Sequence, residues 1–195
     1  MAEAELPNLE ELEEIQAKTF TKRIALTTAI FAVLLAITSL GGNNATKEML
    51  LFQQQSSDQW AFYQSKALRE HLYKTNVQRV EVDLLERGSR MKPEVKKRYE
   101  AMLKDMRTEE GRYGEEKKKI EEEAKHLEAE RDKNLGKGPY FEYAEVLLQI
   151  SIVMASISIL AVSRQIFYFA TVFASLGTIL MLNGYLLIFK LPFFH

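Results

Sequence analysis

The sequence predicts an all-α membrane protein with three transmembrane helices and a long antiparallel, coiled-coil-like helical hairpin between the first and the second. Apolar runs at Ile24–Leu40, Tyr143–Val162 and Ile166–Phe189 are long enough to cross a bilayer. Between the first two runs, Asn43–Glu142 is charged and poor in glycine, which is typical of long solvated helices. Membrane lipid is therefore an expected partner.

The composition of the chain limits the kinds of function it can have. Of its 195 residues, 47% are hydrophobic and 27% are charged, but these two classes are separated along the chain. The formal net charge of -1 argues against a nucleic-acid partner, because no domain-wide excess of positive charge exists. The absence of cysteine excludes a disulfide, a thiolate nucleophile and a cysteine-based metal site.

Five segments are expected along the chain. They are an acidic N-terminal segment (1–20), transmembrane helix 1 (21–42), a soluble helical hairpin (43–142), transmembrane helix 2 (143–162) and transmembrane helix 3 (166–190). Gly41-Gly42-Asn43-Asn44 is expected to mark the exit from the membrane, and Ser163-Arg164-Gln165 to form the turn between helices 2 and 3.

The hairpin is expected to consist of helices Ala45–Arg87 and Pro93–Asn134, joined by a turn near 88–92 that begins with Gly88-Ser89. The second helix has apolar residues at a strict spacing of seven, which indicates a coiled-coil register: Tyr99, Met106, Tyr113, Ile120 and Leu127. Positions four residues before these are expected to be their companions on the seam: Val95, Met102, Glu109, Glu116 and Glu123.

The first hairpin helix has a semi-polar stripe that contains the only tryptophan. Steps of three and four place its members on one face, which we expect to form the helix seam: Gln53, Ser57, Trp60, Gln64, Ala67 and His71. A thin seam of this kind leaves apolar area on Phe52, Phe62, Leu68, Leu72 and Leu84 that one partner helix cannot cover.

The run from Ser57 to Lys66, SDQWAFYQSK, resembles the signature SDQWAxYQxK of an uncharacterised bacterial membrane-protein family described as a domain of unknown function. The resemblance implies a prokaryotic membrane location and no particular activity. It assigns an interaction or packing motif to Ser57, Asp58, Gln59, Trp60, Tyr63, Gln64 and Lys66.

The predicted spans contain small residues at helical spacing, which permit close helix contacts in lipid. They are Ala25/Ala29 and Thr28/Ala32/Ala36 in helix 1, Ser151/Ala155/Ser158 in helix 2 and Ala170/Ala174/Gly177 in helix 3. Intramembrane polar residues are Glu145, Gln149 and Asn183. An ionisable residue in a span suggests a functional site, but Glu145 lies near a helix start, where the dipole favours it.

No pattern in the sequence indicates catalysis, so we expect no enzyme activity, no catalytic residues, no cofactor and no metal site. His71, His126 and His195 are isolated from other metal-ligand residue types at ligand spacing. Phosphate-loop, nucleophile-elbow and HExxH motifs are absent from the sequence.

We therefore expect a structural or scaffold protein that self-associates through its hairpin and spans into a homo-oligomer. Alternatives are an accessory subunit of a larger membrane complex, or a channel or transport component with a polar path near Glu145. The expected location is the bacterial inner membrane, with several spans. Lys18, Lys22, Arg23 and Arg164 favour a cytoplasmic N-terminus and a periplasmic hairpin.

Overall fold

The computed structural model describes residues 9–189, with side chains from Lys18 onward, and these residues form four α-helices. They are α1 (Leu9–Arg87), α2 (Pro93–Leu135), α3 (Gly138–Leu160) and α4 (Arg164–Leu186). The described residues contain no strand. Most of the acidic segment 1–20 and the predicted helix end at Lys190 lie outside the residues whose side chains are described.

The chain forms two compact units, and three of its helical stretches are long and apolar enough to cross a membrane. The described residues of Met1–Glu48 and Lys133–His195 make up the span unit, and Met49–Asp132 makes up the hairpin unit. The three candidate stretches are Lys18–Arg87, Pro93–Leu160 and Arg164–Leu186.

Helix α1 continues through Gly41 and Gly42, where the sequence predicted the end of the first span. The two glycines leave room for side chains from α3 and α4. A Cβ atom on Gly41 would lie 2.6 Å from both Phe141 Cε1 and the Tyr185 hydroxyl, and one on Gly42 would lie 3.2 Å from Phe141 Cβ. The Tyr185 hydroxyl also donates a hydrogen bond to the Ile37 carbonyl, at 3.1 Å. These glycines therefore serve close packing inside a helix, and do not end it.

The core of the span unit consists of three layers, and each layer draws on α1, α3 and α4. The layers are centred on Ile24/Ala155/Ala170, on Phe31/Leu148/Ala174, and on Ala45/Phe141/Ala144/Met181. Along these layers the residue numbers rise in α1 and α4 and fall in α3. Helix α3 therefore runs antiparallel to α1, and α4 runs parallel to it.

The predicted small-residue faces are confirmed in two of the three spans. Ser151, Ala155 and Ser158 of α3 are buried, as are Ala170, Ala174 and Gly177 of α4. In α1, Ala25, Ala29, Ala32 and Ala36 are exposed and Thr28 is half-buried, so this face is not packed within the span unit of a single chain. Helix α1 instead buries larger residues in two layers, Ile24 and Phe31, where its neighbours supply alanine.

The link between α3 and α4 comprises residues 161–163, so Arg164 and Gln165 belong to α4 rather than to the predicted turn. Val162 adopts the left-handed conformation with φ 46°. Its N–H donates to Ile159 O, at 3.4 Å, and the N–H of Ser163 donates to Ser158 O, at 3.2 Å. These two bonds form a Schellman motif, which satisfies the last carbonyls of α3.

In the hairpin unit, α1 and α2 are antiparallel, because their paired residues run in opposite directions. Side-chain hydrogen bonds join Gln53 to Arg131, Trp60 to Glu128, Lys66 to Glu116, Glu70 to Lys117 and Glu81 to Arg107. The inward positions follow steps of three and four on both helices. On α1 they are Phe52, Ser56, Gln59, Tyr63, Lys66, Glu70, Tyr73, Val77, Val80 and Leu84. On α2 they are Tyr99, Leu103, Met106, Glu110, Tyr113, Lys117, Ile120, Ala124, Leu127 and Arg131.

This register corrects two predictions. The five α2 residues at a spacing of seven do face inward, but their companions lie four residues after them. Of the predicted companions four residues before, Val95, Met102 and Glu123 are exposed, whereas Glu116 pairs with Lys66 of α1. On α1 the inward face is displaced by one residue, or about 100°, from the predicted stripe, so Gln53, Ser57, Gln64 and His71 are exposed. The correct companions include Glu110, Lys117 and Arg131, whose charge concealed the pattern.

Only Gly136 and Lys137 separate α2 from α3, so α3 begins five residues before the predicted start of the second span at Tyr143. Pro139 occupies the first turn of α3, where its missing N–H has no intrahelical partner to lose. Lys137 itself has helical dihedral angles. The glycines and the proline here therefore interrupt the helical conformation for only two residues, between α2 and α3.

Glycine-to-alanine substitutions should have opposite effects at two helical sites. Gly41→Ala is expected to destabilise the span unit by about 1–3 kcal/mol, because the added methyl group overlaps Phe141 and Tyr185. Gly111→Ala is expected to stabilise the hairpin by up to about 1 kcal/mol, because nothing lies within 4 Å of its Cβ position. Thermal unfolding in mild detergent, followed by circular dichroism, measures both changes. A stabilising Gly41→Ala would contradict the packing described at that residue.

Candidate functional site

The signature run Ser57–Lys66 lies on the hairpin part of α1 and is divided between two faces. Gln59, Trp60, Tyr63 and Lys66 are half-buried, and Ser57, Asp58 and Gln64 are exposed. Two of the exposed residues bond only within their own helix: Gln53 Nε2 donates to Ser57, and Gln54 Nε2 donates to Asp58 Oδ1 at 3.0 Å. The signature thus contributes one set of residues to the seam and one set to the outer surface.

Trp60 and Tyr63 anchor the side of this α1 run that faces α2. The Trp60 indole Nε1 donates a hydrogen bond of 2.9 Å to Glu128 Oε1. The rings of Trp60 and Tyr63 meet edge to face, with centroids 5.3 Å apart, which is a favourable aromatic geometry. A tryptophan N–H that finds a carboxylate partner can be half-buried without an unsatisfied donor.

Lys66 lies at the centre of a cluster of charges and rings. Its Nζ donates a 2.6 Å hydrogen bond to Glu116 and lies 5.1 Å from the centroid of the Phe62 ring and 5.3 Å from that of Tyr113. Tyr113 is buried and stacks on Tyr73, with centroids 5.6 Å apart and planes at 24°. Ring faces attract cations, so the ammonium is held by one carboxylate and two aromatic rings.

A second ion pair, between Glu70 and Lys117, lies one turn further along α1. Gly114 of α2 adjoins it, and a Cβ atom at Gly114 would lie 3.2 Å from Glu70 Oε1. The hydrogen bond that Lys117 donates to the Glu70 carboxylate is the main cause that raises the pKa of Lys117, against the effect of burial. The stability from this shift is present below the ordinary lysine pKa of about 10.4 and is lost as the pH rises through the higher folded value.

The sequence identified Phe62 and Lys66 of this cluster on α1 and Tyr113 and Glu116 on α2, but Glu70, Tyr73 and Lys117 were missed. Lys117 sits in the charge block Glu115–Lys119, and such blocks are usually a solvated helix face. Acidic and basic residues at inward positions of the two helices were the available signal, because Glu70 and Lys66 of α1 need partners of opposite charge. Antiparallel pairing is needed to see which residues meet.

The predicted intramembrane polar residues lie at two separate places with different roles. Gln149 Nε2 donates to Glu145 Oε1 at 3.4 Å, one turn apart on α3, and Gln149 is exposed. Asn183 is buried and bonds both backbone groups of Phe189: its Nδ2 donates to the carbonyl, and its Oδ1 accepts from the N–H. Asn183 therefore holds the chain that follows α4, together with the Tyr140 hydroxyl, which also donates to Phe189 O.

Within the described part of the chain, no three His, Cys, Asp or Glu side chains are grouped closely enough to hold a metal ion. Every buried side-chain nitrogen and oxygen described there has a hydrogen-bond partner. The polar groups of the seam bind each other and so join α1 to α2.

These features define the class of the protein: an all-helical chain with three helices of membrane-spanning length and composition and an antiparallel pair of long helices. The model of the family described as "Domain of unknown function (DUF4337)" matches residues 20–187, and the chain belongs to that family. The match extends from the start of the first span to the end of α4. No curated protein and no solved structure matches the chain.

Truncation of Trp60 should destabilise the hairpin. Trp60→Ala removes a half-buried ring and a hydrogen bond to Glu128, so we expect a loss of about 1–3 kcal/mol and a lower unfolding midpoint. Phe62→Ala, which removes a more exposed ring two residues away, is the matched control and should cost less than half as much. Unchanged stability in Trp60→Ala, together with lost binding of a partner, would instead identify Trp60 as a surface contact.

The ion pair of Lys66 and Glu116 should make hairpin stability depend on pH. The hydrogen bond from Lys66 is the main cause that lowers the pKa of Glu116. Wild type should therefore be more stable than Glu116→Gln above the ordinary glutamate pKa of about 4.3, and this advantage should vanish as the pH falls through the lower folded value. Unfolding midpoints from pH 7 to pH 3 measure it. Glu115→Gln, which alters an exposed pair within α2, should show a smaller pH-dependent difference.

Proposed function

We propose that the protein is a membrane-anchored scaffold whose hairpins associate, in a coiled-coil-like manner, with those of other copies. The observation that carries this proposal is a second apolar stripe on the hairpin part of α1, on the face opposite α2. The members of this stripe are 51–84% exposed and lie between the inward positions of α1. They are Leu50, Leu51, Leu68, Leu72, Val82 and Leu85.

The two helices of the hairpin differ in their outward faces. The α1 stripe is interrupted mainly by glutamine, serine and threonine, and few charges lie among its apolar members. The outward positions of α2 instead carry the blocks Glu115–Lys119 and Glu121–Glu123. A charged face remains solvated, whereas an apolar stripe along a long helix is typical of an interface. This contrast points to α1 as the docking helix.

A second copy fits this stripe because of the membrane. Chains anchored in one bilayer with the same orientation present their hairpins side by side, which raises their effective concentration. In a parallel, in-register pair of hairpins, each residue of the stripe faces the same residue of the other copy. A stripe with few charged residues therefore places few like charges opposite each other. The exposed Ala29 and Ala36 of α1 would also let the first spans of two copies approach closely.

Two other functions receive less support. An accessory subunit would use the same stripe to bind a different chain, and the mass measurement below separates that case. A channel would require a polar path, but Glu145 bonds to the exposed Gln149, and the amide of Asn183 is occupied by the backbone of Phe189.

We place the protein in the bacterial inner membrane, with the N-terminus in the cytoplasm and the hairpin in the periplasm. The guanidinium of Arg164 lies 5.9 Å from the ring of Phe20, so the start of α4 adjoins the basic residues Lys18, Lys22 and Arg23 at one end of the span unit. Clustered positive charge beside the spans favours the cytoplasmic side.

The purified chain in mild detergent should have a mass of several chains, measured by light scattering after subtraction of the detergent. Leu68→Glu/Leu72→Glu should shift this mass toward one chain, because two carboxylates per copy would face their counterparts. Helix content should not change, since both residues point away from α2.

The matched control for this experiment is Val95→Glu/Met102→Glu, which adds the same charge at exposed apolar residues of α2 and should leave the mass unchanged. A helical wild-type monomer would contradict self-association and leave the accessory-subunit function. Equal dissociation by both double variants would show that the α1 stripe is not the interface.

Single cysteines should report the orientation, because the chain contains none of its own. A cysteine at Ser89, exposed in the hairpin turn, should react with an impermeant thiol reagent in intact spheroplasts. One at Gln165, at the start of α4, should react only after lysis. The reverse pattern would place the hairpin in the cytoplasm.

A further inference from the structure

A cavity of about 410 Å³ lies between the N-terminal part of α1 and the start of α4 in the span unit. Its walls are aromatic and its rim is cationic: Phe20, Ile24, Phe167 and Tyr168 line it together with Arg23 and Arg164. Phe20 and Phe167 meet edge to face with centroids 6.3 Å apart. The volume is in the range of protein sites that bind small ligands.

The two arginines of this cavity have no carboxylate partner among the described residues. Arg164 lies over the ring of Phe20, and no acidic residue lines the cavity. The sequence contains no Asp or Glu after Glu145, and between Glu14 and Glu48 it contains none either. Glu14 precedes Arg23 by nine residues, or about 13 Å along a helix. Among the residues whose side chains the structure describes, no carboxylate therefore neutralises the positive charge at the cavity.

The position of the cavity indicates which kind of ligand could neutralise the positive charge of the two arginines. Phe20 and Phe167 also pack against the first layer of the span unit, formed by Ile24, Ala155 and Ala170. The cavity therefore lies at the end of the candidate membrane-spanning stretches, at the level where aromatic and basic residues meet lipid headgroups. Arginine presents a planar fork of donors that suits phosphate oxygens, and the aromatic walls suit the adjacent glycerol and acyl carbons.

We propose that this cavity binds the phosphate of an anionic phospholipid, with Arg23 and Arg164 as its ligands and the acyl chains directed along α1 and α4. Such a lipid would join the N-terminal part of α1 to the start of α4. This inference does not depend on self-association, since the cavity belongs to a single chain.

Native mass spectrometry of the full chain can test this site. The protein would be released from micelles that contain equal amounts of phosphatidylglycerol and phosphatidylcholine. Wild type should retain phosphatidylglycerol in preference to phosphatidylcholine. Arg23→Gln/Arg164→Gln should lower phosphatidylglycerol retention at least tenfold, because each guanidinium contributes charge-assisted hydrogen bonds. Arg79→Gln/Arg98→Gln removes the same charge from exposed positions of the hairpin unit and should retain the lipid as wild type does.

The remaining outcomes also decide the question. Equal retention of both lipids by wild type, or unchanged phosphatidylglycerol retention in Arg23→Gln/Arg164→Gln, would overturn the proposal. Displacement of phosphatidylglycerol by millimolar inorganic phosphate would assign the site to a soluble phosphate instead. Circular dichroism of each variant confirms that helix content is retained. If the double variant fails to fold, the single variants and the wild-type lipid preference give the same decision.

Discussion

The close approach of three helices around Phe141 is the constraint on which the span unit depends. Phe141 is 2% exposed, and Cβ atoms at Gly41, Gly42 and Gly184 would all lie within 3.2 Å of its side chain. Without a hydrophobic driving force between helices in lipid, contact of this kind must come from dispersion and backbone approach. The ring of Phe141 therefore fills the space that three glycines leave on α1 and α4. The Tyr185 ring lies on one side of this space, with its centroid 4.9 Å from that of Phe141.

The two seams of the protein use different chemistry. In the span unit, alanine, serine and glycine let α3 and α4 approach until a Cβ at Gly177 would lie 3.1 Å from Ala144 O. In the hairpin unit, aromatic rings and ion pairs fill the space between α1 and α2, as in the contacts of Lys66 with Glu116 and Tyr113. The ion pairs Lys66–Glu116 and Glu70–Lys117 are half-buried, and they also fix which residues of the two helices meet.

The sequence predicted the all-helical class, three helices of membrane-spanning length and composition, and the buried small residues of α3 and α4, because those features follow from composition and local spacing. It could not distinguish a glycine that ends a helix from one that admits Phe141, since both appear as Gly41-Gly42. The predicted inward face of α1 differs by one residue from the observed inward face, because a spacing of three and four residues fits either of two adjacent stripes. The α2 companions were missed because Glu110, Lys117 and Arg131 are charged. The partners Glu70 and Gln53 on α1 explain why Lys117 and Arg131 face inward.

Amide hydrogen exchange of the chain in lipid nanodiscs tests most directly whether Phe141 packing keeps α1 continuous through its glycines. Amides from Gly41 to Lys47 of wild type should be as protected as those of the adjoining turns. In Phe141→Ala their protection should fall, while Phe167→Ala, which alters a different layer, should leave it unchanged. Fast exchange at Gly41–Lys47 in wild type, or equal protection in Phe141→Ala, would contradict the account.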